Sequence, residues 1–275
     1  MTLSDDQIRR YSRHVLLAEV GGIGQERLLA SRALVVGAGG LGCPAGLYLA
    51  AAGVGRIRIV DGDRVDLTNL QRQIAHGTGD VGRPKVASFA EALARIDPAV
   101  EVEAREGLID PETAPAAIEG CDVVLDGSDN FATRYLVNDA CRRAGVPLVS
   151  GSILRFDGQL TTFSGRAGDP CYRCLFAAPP PPELAPKCSD AGVLGAVAGV
   201  IGTQMAVEAL KILLGCGEPL VGRLQLYDAL ASEVRTVRYA RDPGCALCGD
   251  APTILELRWW GDPPSCSGSG PGPGG

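Results

Sequence analysis

Ser4 and Gln7 have the spacing of a capping box. Behind them Ile8, Tyr11, Val15 and Leu16 recur at three- and four-residue intervals, so residues 5–17 are expected to form an amphipathic helix. Further on, residues 33–36 are a short apolar run with β-branched side chains, 37–42 a glycine cluster, 41–52 a helical run and 56–60 a second apolar run. Together these read as a βαβ unit. Pro84 stands where a first helical turn tolerates proline, and the helix it opens runs to Arg95 before Asp97-Pro98 stops it. Strands at 100–104 and 123–126, a helix at 131–144 and a strand around 148–150 continue the alternation, which predicts a doubly wound parallel sheet in the first 150 residues. From Gln159 the period drops to two. Residues 159–163, 224–227 and 234–238 alternate like antiparallel strands, interrupted by one long helix over 194–214. The expected fold is therefore a Rossmann-like α/β sheet, parallel in its N-terminal half and extended by antiparallel strands in its C-terminal half.

One domain over residues 1–258 accommodates this pattern. It comprises an N-terminal helical region (5–32), a nucleotide-binding half (33–150) and a second half (151–258) that contains a crossover loop at 177–191. Ala177-Ala178-Pro179-Pro180-Pro181-Pro182 reads as an exposed polyproline-like part of that loop, and the Pro- and Gly-rich stretch 259–275 as a disordered tail. The 275 residues include 46% hydrophobic and 21% charged residues, a globular balance. A net charge of −6 without a run of Lys and Arg argues against a nucleic-acid or anionic-membrane partner. The uncharged stretches 33–55 and 191–207 fail as membrane spans. Glycines and Pro44 break the first, and the second contains four glycines and runs into Glu208 and Lys211. The polar first residues, with Asp5 and Asp6, resemble neither a secretory signal nor a transit peptide, so a cytoplasmic location is expected. Ten cysteines in such a chain point to reduced thiols in metal or redox roles.

Gly37, Gly39, Gly40 and Gly42 follow a strand and open a helix, and Asp61 ends the next strand. In that context glycines admit phosphate to the backbone, the helix N-terminus faces its charge, and the acid takes ribose hydroxyls. Arg72 and Lys85 follow. A hydride-transfer site has no need of them, whereas departing pyrophosphate calls for cations. The ordinary alternatives are a surface ion pair between Arg72 and Asp66 and a solvated Lys85. Asp129 and Asn130 lie past a strand end, at the carboxyl edge where ligands gather. Asp129 is a candidate magnesium ligand, although Asp-Asn also caps helices.

Cys171 and Cys174, and Cys245 and Cys248, form two C-x-x-C knuckles about seventy residues apart, the spacing of a closed, structural zinc site. Redox dithiols are the alternative, but neither pair opens a helix after a strand. Cys188 lies in the loop beside Lys187, a cation that would lower its pKa, which makes it a candidate nucleophile. Cys43, Cys121, Cys141 and Cys216 read as small core residues. His14 and His76 are far apart with no G-x-S-x-G, and there is no G-x-x-x-x-G-K-[ST], which excludes a serine triad and a P-loop.

Taken in order, Arg10-Tyr11-Ser12-Arg13, the 37–43 glycine cluster, Asp61-Gly62-Asp63, Asn69-Leu70-Gln71-Arg72-Gln73, Gly82-Arg83-Pro84-Lys85, Asp129-Asn130 and the two cysteine knuckles resemble the MoeB/ThiF-type adenylyltransferases of the bacterial ubiquitin-activating-like superfamily, over residues 5 to about 249. The resemblance implies ATP-dependent adenylation of the C-terminal glycine of a small ubiquitin-like sulfur carrier, MoaD-like or ThiS-like, ending in Gly-Gly. It implies ATP and Mg2+ at Gly37, Gly39, Gly40, Asp61, Asp63, Thr68, Asn69, Leu70, Gln71, Arg72, Lys85, Asp129 and Asn130, with structural Zn2+ on the four cysteines. Within that set Gly40 would back the phosphates, Asp61 hold the ribose, Asn69, Arg72 and Lys85 hold the triphosphate, and Asp129 coordinate magnesium. Arg13 would reach into the other subunit of a homodimer, and Cys188 matches a crossover-loop cysteine that links covalently to the carrier in ThiF-like members. With no rhodanese-like segment after Gly249, sulfur is expected from a separate donor, a rhodanese or a cysteine desulfurase. The remaining alternatives are a nucleotide-binding scaffold without chemistry and an NAD-dependent oxidoreductase.

Overall fold

Strand β1 (Arg32–Val36) shows how the sheet is built: Ala33 and Val35 enter one core, Leu34 and Val36 the other. Strands β2 (Arg56–Asp61) and β4 (Val123–Asp126) repeat the division, with Ile57, Ile59, Val123 and Leu125 on the first side and Val60 and Val124 on the second. A strand buried on both faces is mostly apolar, which is why β1 and β4 read as nearly continuous runs, whereas β2 also buries Arg58, paired with Glu103 at 2.6 Å. The structure is a computed structural model that describes residues 3–180 and 192–260. Its eight strands form one sheet in the order β3-β2-β1-β4-β5-β6-β7-β8, where β3 is Glu101–Glu106, β5 Leu148–Leu154, β6 Asp157–Phe163, β7 Arg223–Asp228 and β8 Glu233–Arg238. Pairing is parallel from β3 to β5 and antiparallel from β5 to β8, as the change of period implies.

Helices α4 (Gly42–Ala52), α5 (Lys85–Ile96) and α9 (Gly195–Leu214) cover the first core, where Leu49, Phe89, Ile201 and Met205 are fully enclosed. On the second side lie α6 (Ala114–Ile118), α7 (Phe131–Ala144) and α8 (Tyr172–Leu175). Helix α9 is long and apolar enough to cross a membrane, yet half of that span is buried inside the protein. Its Glu208 is enclosed, accepting hydrogen bonds from the Thr162 hydroxyl (2.8 Å) and the Leu220 amide (2.7 Å) and pairing with Lys211.

Two expectations change. The helix over 5–17 breaks into α1 (Asp5–Arg10) and α2 (Ser12–Val15), because Tyr11 turns inward to donate its hydroxyl to Asp97 Oδ2 at 2.5 Å. Tyr11 alone carries that apolar face into the core, since Ile8 remains 46% and Leu16 75% exposed. Helix α3 (Gly21–Ala30) falls within the expected helical region 5–32, although its three glycines hide any apolar period. Trp259 and Trp260, assigned to the tail, instead pack against the second core, and Trp260 lies 4.1 Å from the Arg173 guanidinium.

Arg173 belongs to a buried cluster that joins the two halves. It grips Asp139 of α7 with two hydrogen bonds (2.8 and 2.7 Å), and its guanidinium is held between the rings of Tyr135 and Trp260. Neither charge reaches solvent, so removing one partner strands the other. Asp139→Ala is therefore expected to lower the urea midpoint by the equivalent of about 3–5 kcal/mol. Adding Arg173→Met to that variant should restore part of the loss.

Candidate functional site

The chain leaves β1 toward β2 and returns by way of β3 to β4 on the other side of β1, so the loops after β1 and β4 part at the carboxyl edge. Such a switch point is where open α/β sheets receive ligands. Only backbone fits between the two loops. A Cβ on Gly42 would fall 1.8 Å from the Gly37 carbonyl oxygen, and Gly37 itself has φ +92°. Gly127, after β4, donates its amide to Val36 O at 3.0 Å and lies against both glycines. The N-terminus of α4 therefore opens into a side-chain-free cradle suited to phosphate.

Asp61, at the end of β2, orients this loop. Its Oδ2 accepts the Ala38 amide and its Oδ1 the Asp63 amide, both at 2.7 Å. A carboxylate offers about four lone-pair sites, so two remain for the paired hydroxyls of a ribose. Burial pushes the Asp61 carboxyl above the ordinary range, and the charge of Lys85 opposes that shift. Lys85 is enclosed rather than solvated, and its Nζ pairs with Asp63 at 2.8 Å.

Arg72 makes no ion pair with Asp66. That carboxylate instead caps a 3-10 turn (Leu67–Asn69), taking the Thr68 amide and hydroxyl, while Arg72 donates to the Thr68 carbonyl at 3.2 Å. The Arg72 stem crosses Gly40, where a Cβ would meet its Cγ at 3.3 Å, so the side chain packs on the glycine loop on its way to Thr68. Asn69 donates to the Thr68 hydroxyl, and the Gln71 carbonyl abuts Gly195 at the start of α9. Leu70 is half-buried in the same turn.

Asp129 is exposed on the loop between β4 and α7, and Asn130 caps α7 by accepting the Thr133 amide. Three residues that the sequence reading missed clamp this loop. Ser128 donates its amide and hydroxyl to Asp126 Oδ1 (3.0 and 2.6 Å), and Arg134 donates to the Ser128 carbonyl (2.6 Å) and to Gly151 O. The Asp-x-Ser spacing, which favours a side-chain-to-backbone turn, is the signal that could have found them. Burial raises the Asp126 carboxyl above its usual range.

Arg13 is not brought to this site. It is exposed on α2, beside Tyr11, which contacts Gly53 and Asp97 at the ends of α4 and α5 and so lies at the opposite, amino edge of the sheet. Cys188 falls outside the described residues. Cys43, Cys121 and Cys141 are buried and Cys216 is half-buried.

The four knuckle cysteines converge. Their sulfurs lie within 4.8 Å of one another, with Sγ–Sγ distances of 4.0 Å (171–174), 3.7 Å (171–245) and 3.3 Å (174–248). A disulfide would need about 2.05 Å, whereas a regular tetrahedron of thiolates around zinc has edges of about 3.8 Å. The donor set therefore fits a tetrahedral metal ion. The knuckle also rests on α7, through the Tyr172 amide to Asn138 Oδ1 (2.8 Å) and the Arg173–Asp139 pair.

This arrangement defines a Rossmann-like α/β protein with an anion cradle at its switch point and a four-cysteine cluster on its second half. The chain belongs to the ThiF family, whose model matches residues 11–247. It is 49% identical over 262 residues to the sulfur carrier protein adenylyltransferase of Thermus thermophilus, covering 94% of this chain and 96% of that one. Identity with the SAMP-activating enzyme E1 of Haloferax volcanii is 51% over 252 residues, covering 91% and 93%. With the adenylyltransferase and sulfurtransferase MOCS3 of Bos taurus it is 52% over 257 residues, covering 93% of this chain and 56% of that protein. The chain thus spans little more than half the length of the MOCS3 relatives. Among solved structures, Escherichia coli MccB shares the fold with a TM-score of 0.77 at 21% identity, covering 88% of this chain and 73% of that one.

Cys174→Ser is expected to reduce bound metal well below the wild-type content and to lower the melting temperature. Lys85→Ala should keep its metal, and elemental analysis of the purified variants distinguishes the two.

Proposed function

We propose that the chain adenylates the C-terminal glycine carboxylate of a small ubiquitin-like sulfur carrier, using ATP and releasing pyrophosphate. The observation that carries this reading is the placing of Arg72 and Lys85 beside the glycine cradle, with one exposed carboxylate, Asp129, on the facing loop. A carrier carboxylate is already ionised at neutral pH and needs no general base. What the reaction requires is alignment on the α-phosphate and neutralisation of the leaving group. Asp61 holds the ribose, Gly40 backs the phosphates, and Asn69, Arg72 and Lys85 hold the triphosphate. Lys85 waits on Asp63, so an arriving polyphosphate meets a cation already fixed in place. Asp129 fits a magnesium ion, which commonly takes one or two carboxylates and completes its shell with phosphate oxygens and water, and which would supply charge neutralisation at the phosphates. The four cysteines hold structural zinc.

Arg13 completes the site of a second copy in a homodimer. Leu16 just after α2, Ile23 on α3, Tyr48 on α4 and Val207 on α9 are all exposed apolar residues, on helices that pack on one another. Cys188 is the candidate for a covalent carrier adduct. Sulfur is supplied by a rhodanese or a cysteine desulfurase. The carrier is MoaD-like or ThiS-like, serving molybdopterin or thiamine biosynthesis respectively.

ATP:pyrophosphate exchange tests the reading. Exchange should require a carrier with its Gly-Gly end, and absence of exchange with both carrier types would favour a scaffold without chemistry. Lys85→Ala and Asp129→Ala should each reduce exchange by roughly a hundredfold or more. Arg13→Ala and Lys85→Ala subunits, each inactive alone, should recover activity when mixed and allowed to exchange. No recovery would remove the shared site.

A further inference from the structure

His76 is enclosed, and no part of the proposed chemistry uses it. Its Nε2 lies 3.0 Å from the Ala38 carbonyl, inside the glycine loop, and its Nδ1 lies 2.9 Å from Ser88 Oγ on α5. A carbonyl can only accept, so Nε2 carries the proton, and in the neutral ring Nδ1 accepts from the serine hydroxyl. Neutrality is favoured by burial, which holds the imidazole below its usual pKa. Phe89 braces the ring edge to face at 6.4 Å.

These contacts close a circuit. The Ala38 amide donates to Asp61, Asp61 accepts the Asp63 amide, the Asp63 carboxylate pairs with Lys85, and Lys85 opens α5. Ser88 is three residues further along that helix, and His76 leads from Ser88 back to Ala38. Both polar atoms of Ala38 are thereby held, the amide by one arm and the carbonyl by the other. The His76 amide also donates to Gln73 O, one residue beyond Arg72. One residue therefore joins three parts of the site: its ring ties the glycine loop to the Lys85 helix, and its backbone amide holds the Arg72 segment.

We propose that His76 is a positioning residue that fixes the glycine loop in register with Arg72 and Lys85, so that the cradle and the two cations meet the ATP phosphates as one unit. The inference deepens the adenylation reading and rests on it. Because the imidazole is enclosed and spends both nitrogens on Ala38 and Ser88, its removal weakens ATP binding by loosening the loop. Glutamine, whose amide offers a donor and an acceptor at a separation like that of the two ring nitrogens, replaces it.

The test uses the full chain with its metal, comparing wild type, His76→Ala, His76→Gln and Ser88→Ala. Direct ATP binding is measured by calorimetry and exchange kinetics with a carrier, and melting temperature and metal content report folding. His76→Ala should raise the ATP dissociation constant and the KM for ATP about tenfold, the scale of one lost hydrogen bond, with KM for the carrier unchanged. His76→Gln should return both to near wild type, and Ser88→Ala should show a smaller change in the same direction. ATP binding within twofold of wild type in a folded His76→Ala, or in Ser88→Ala should the former not fold, overturns the proposal. So does a His76→Gln protein as weak as His76→Ala. Wild type that binds ATP but catalyses no exchange sinks the adenylation reading while leaving the binding comparison to decide the role of His76. Wild type that binds no ATP overturns both.

Discussion

The contact on which the rest of the molecule depends is the approach of bare backbone to bare backbone where Gly37, Gly42 and Gly127 meet. It lets β1 and β4 lie side by side while the segments leaving them diverge, and it does so without any side chain intruding. A single methyl at Gly42 would collide with the Gly37 carbonyl and push α4 off its strand. The crevice is thus a product of topology, kept open by the absence of atoms rather than by a gate. The cations, the acid at the end of β2 and the clamped loop after β4 are all placed relative to it.

Charge at the site is balanced before any ligand arrives. Lys85 is withdrawn from water but compensated by Asp63, and Asp63 is itself tied by its amide to Asp61. A lysine held this way is oriented without the cost of an isolated buried charge, which several kcal/mol of lost hydration would otherwise impose. In the proposed reaction an incoming polyanion would exchange one counter-charge for another in a fixed setting. This is the preorganisation that makes electrostatic stabilisation effective.

What was legible in the chain was what short stretches encode. The glycine loop with Asp61, the two cysteine knuckles and the change from buried parallel strands to alternating ones all follow from spacing within a few residues, and the structure places them as expected. What was hidden depends on partners distant in sequence. Tyr11 breaks its helix for the sake of Asp97, 86 residues away, and Arg173 finds Asp139 across 34. His76 looked like an isolated histidine because both of its partners, Ala38 and Ser88, are ordinary residues that carry no motif. Lys85 and Arg72 stood out as lone cations after the glycine loop, but whether each was solvated or paired was a question of burial, which a local pattern does not encode. The placing of Arg13, Asp129 and the remaining nucleotide contacts in one working site depends on a second copy and on ligands, and stays a proposal.

The stacking of Trp260 on Arg173 bears on how this unit can be joined to others. The chain there is pinned beside the cysteine knuckles and α7, so anything attached beyond this point begins its path at a fixed anchor on the second half of the domain. The tryptophan thus acts as a mooring, fixing the chain at this point to the same buried ion pair that joins the two halves.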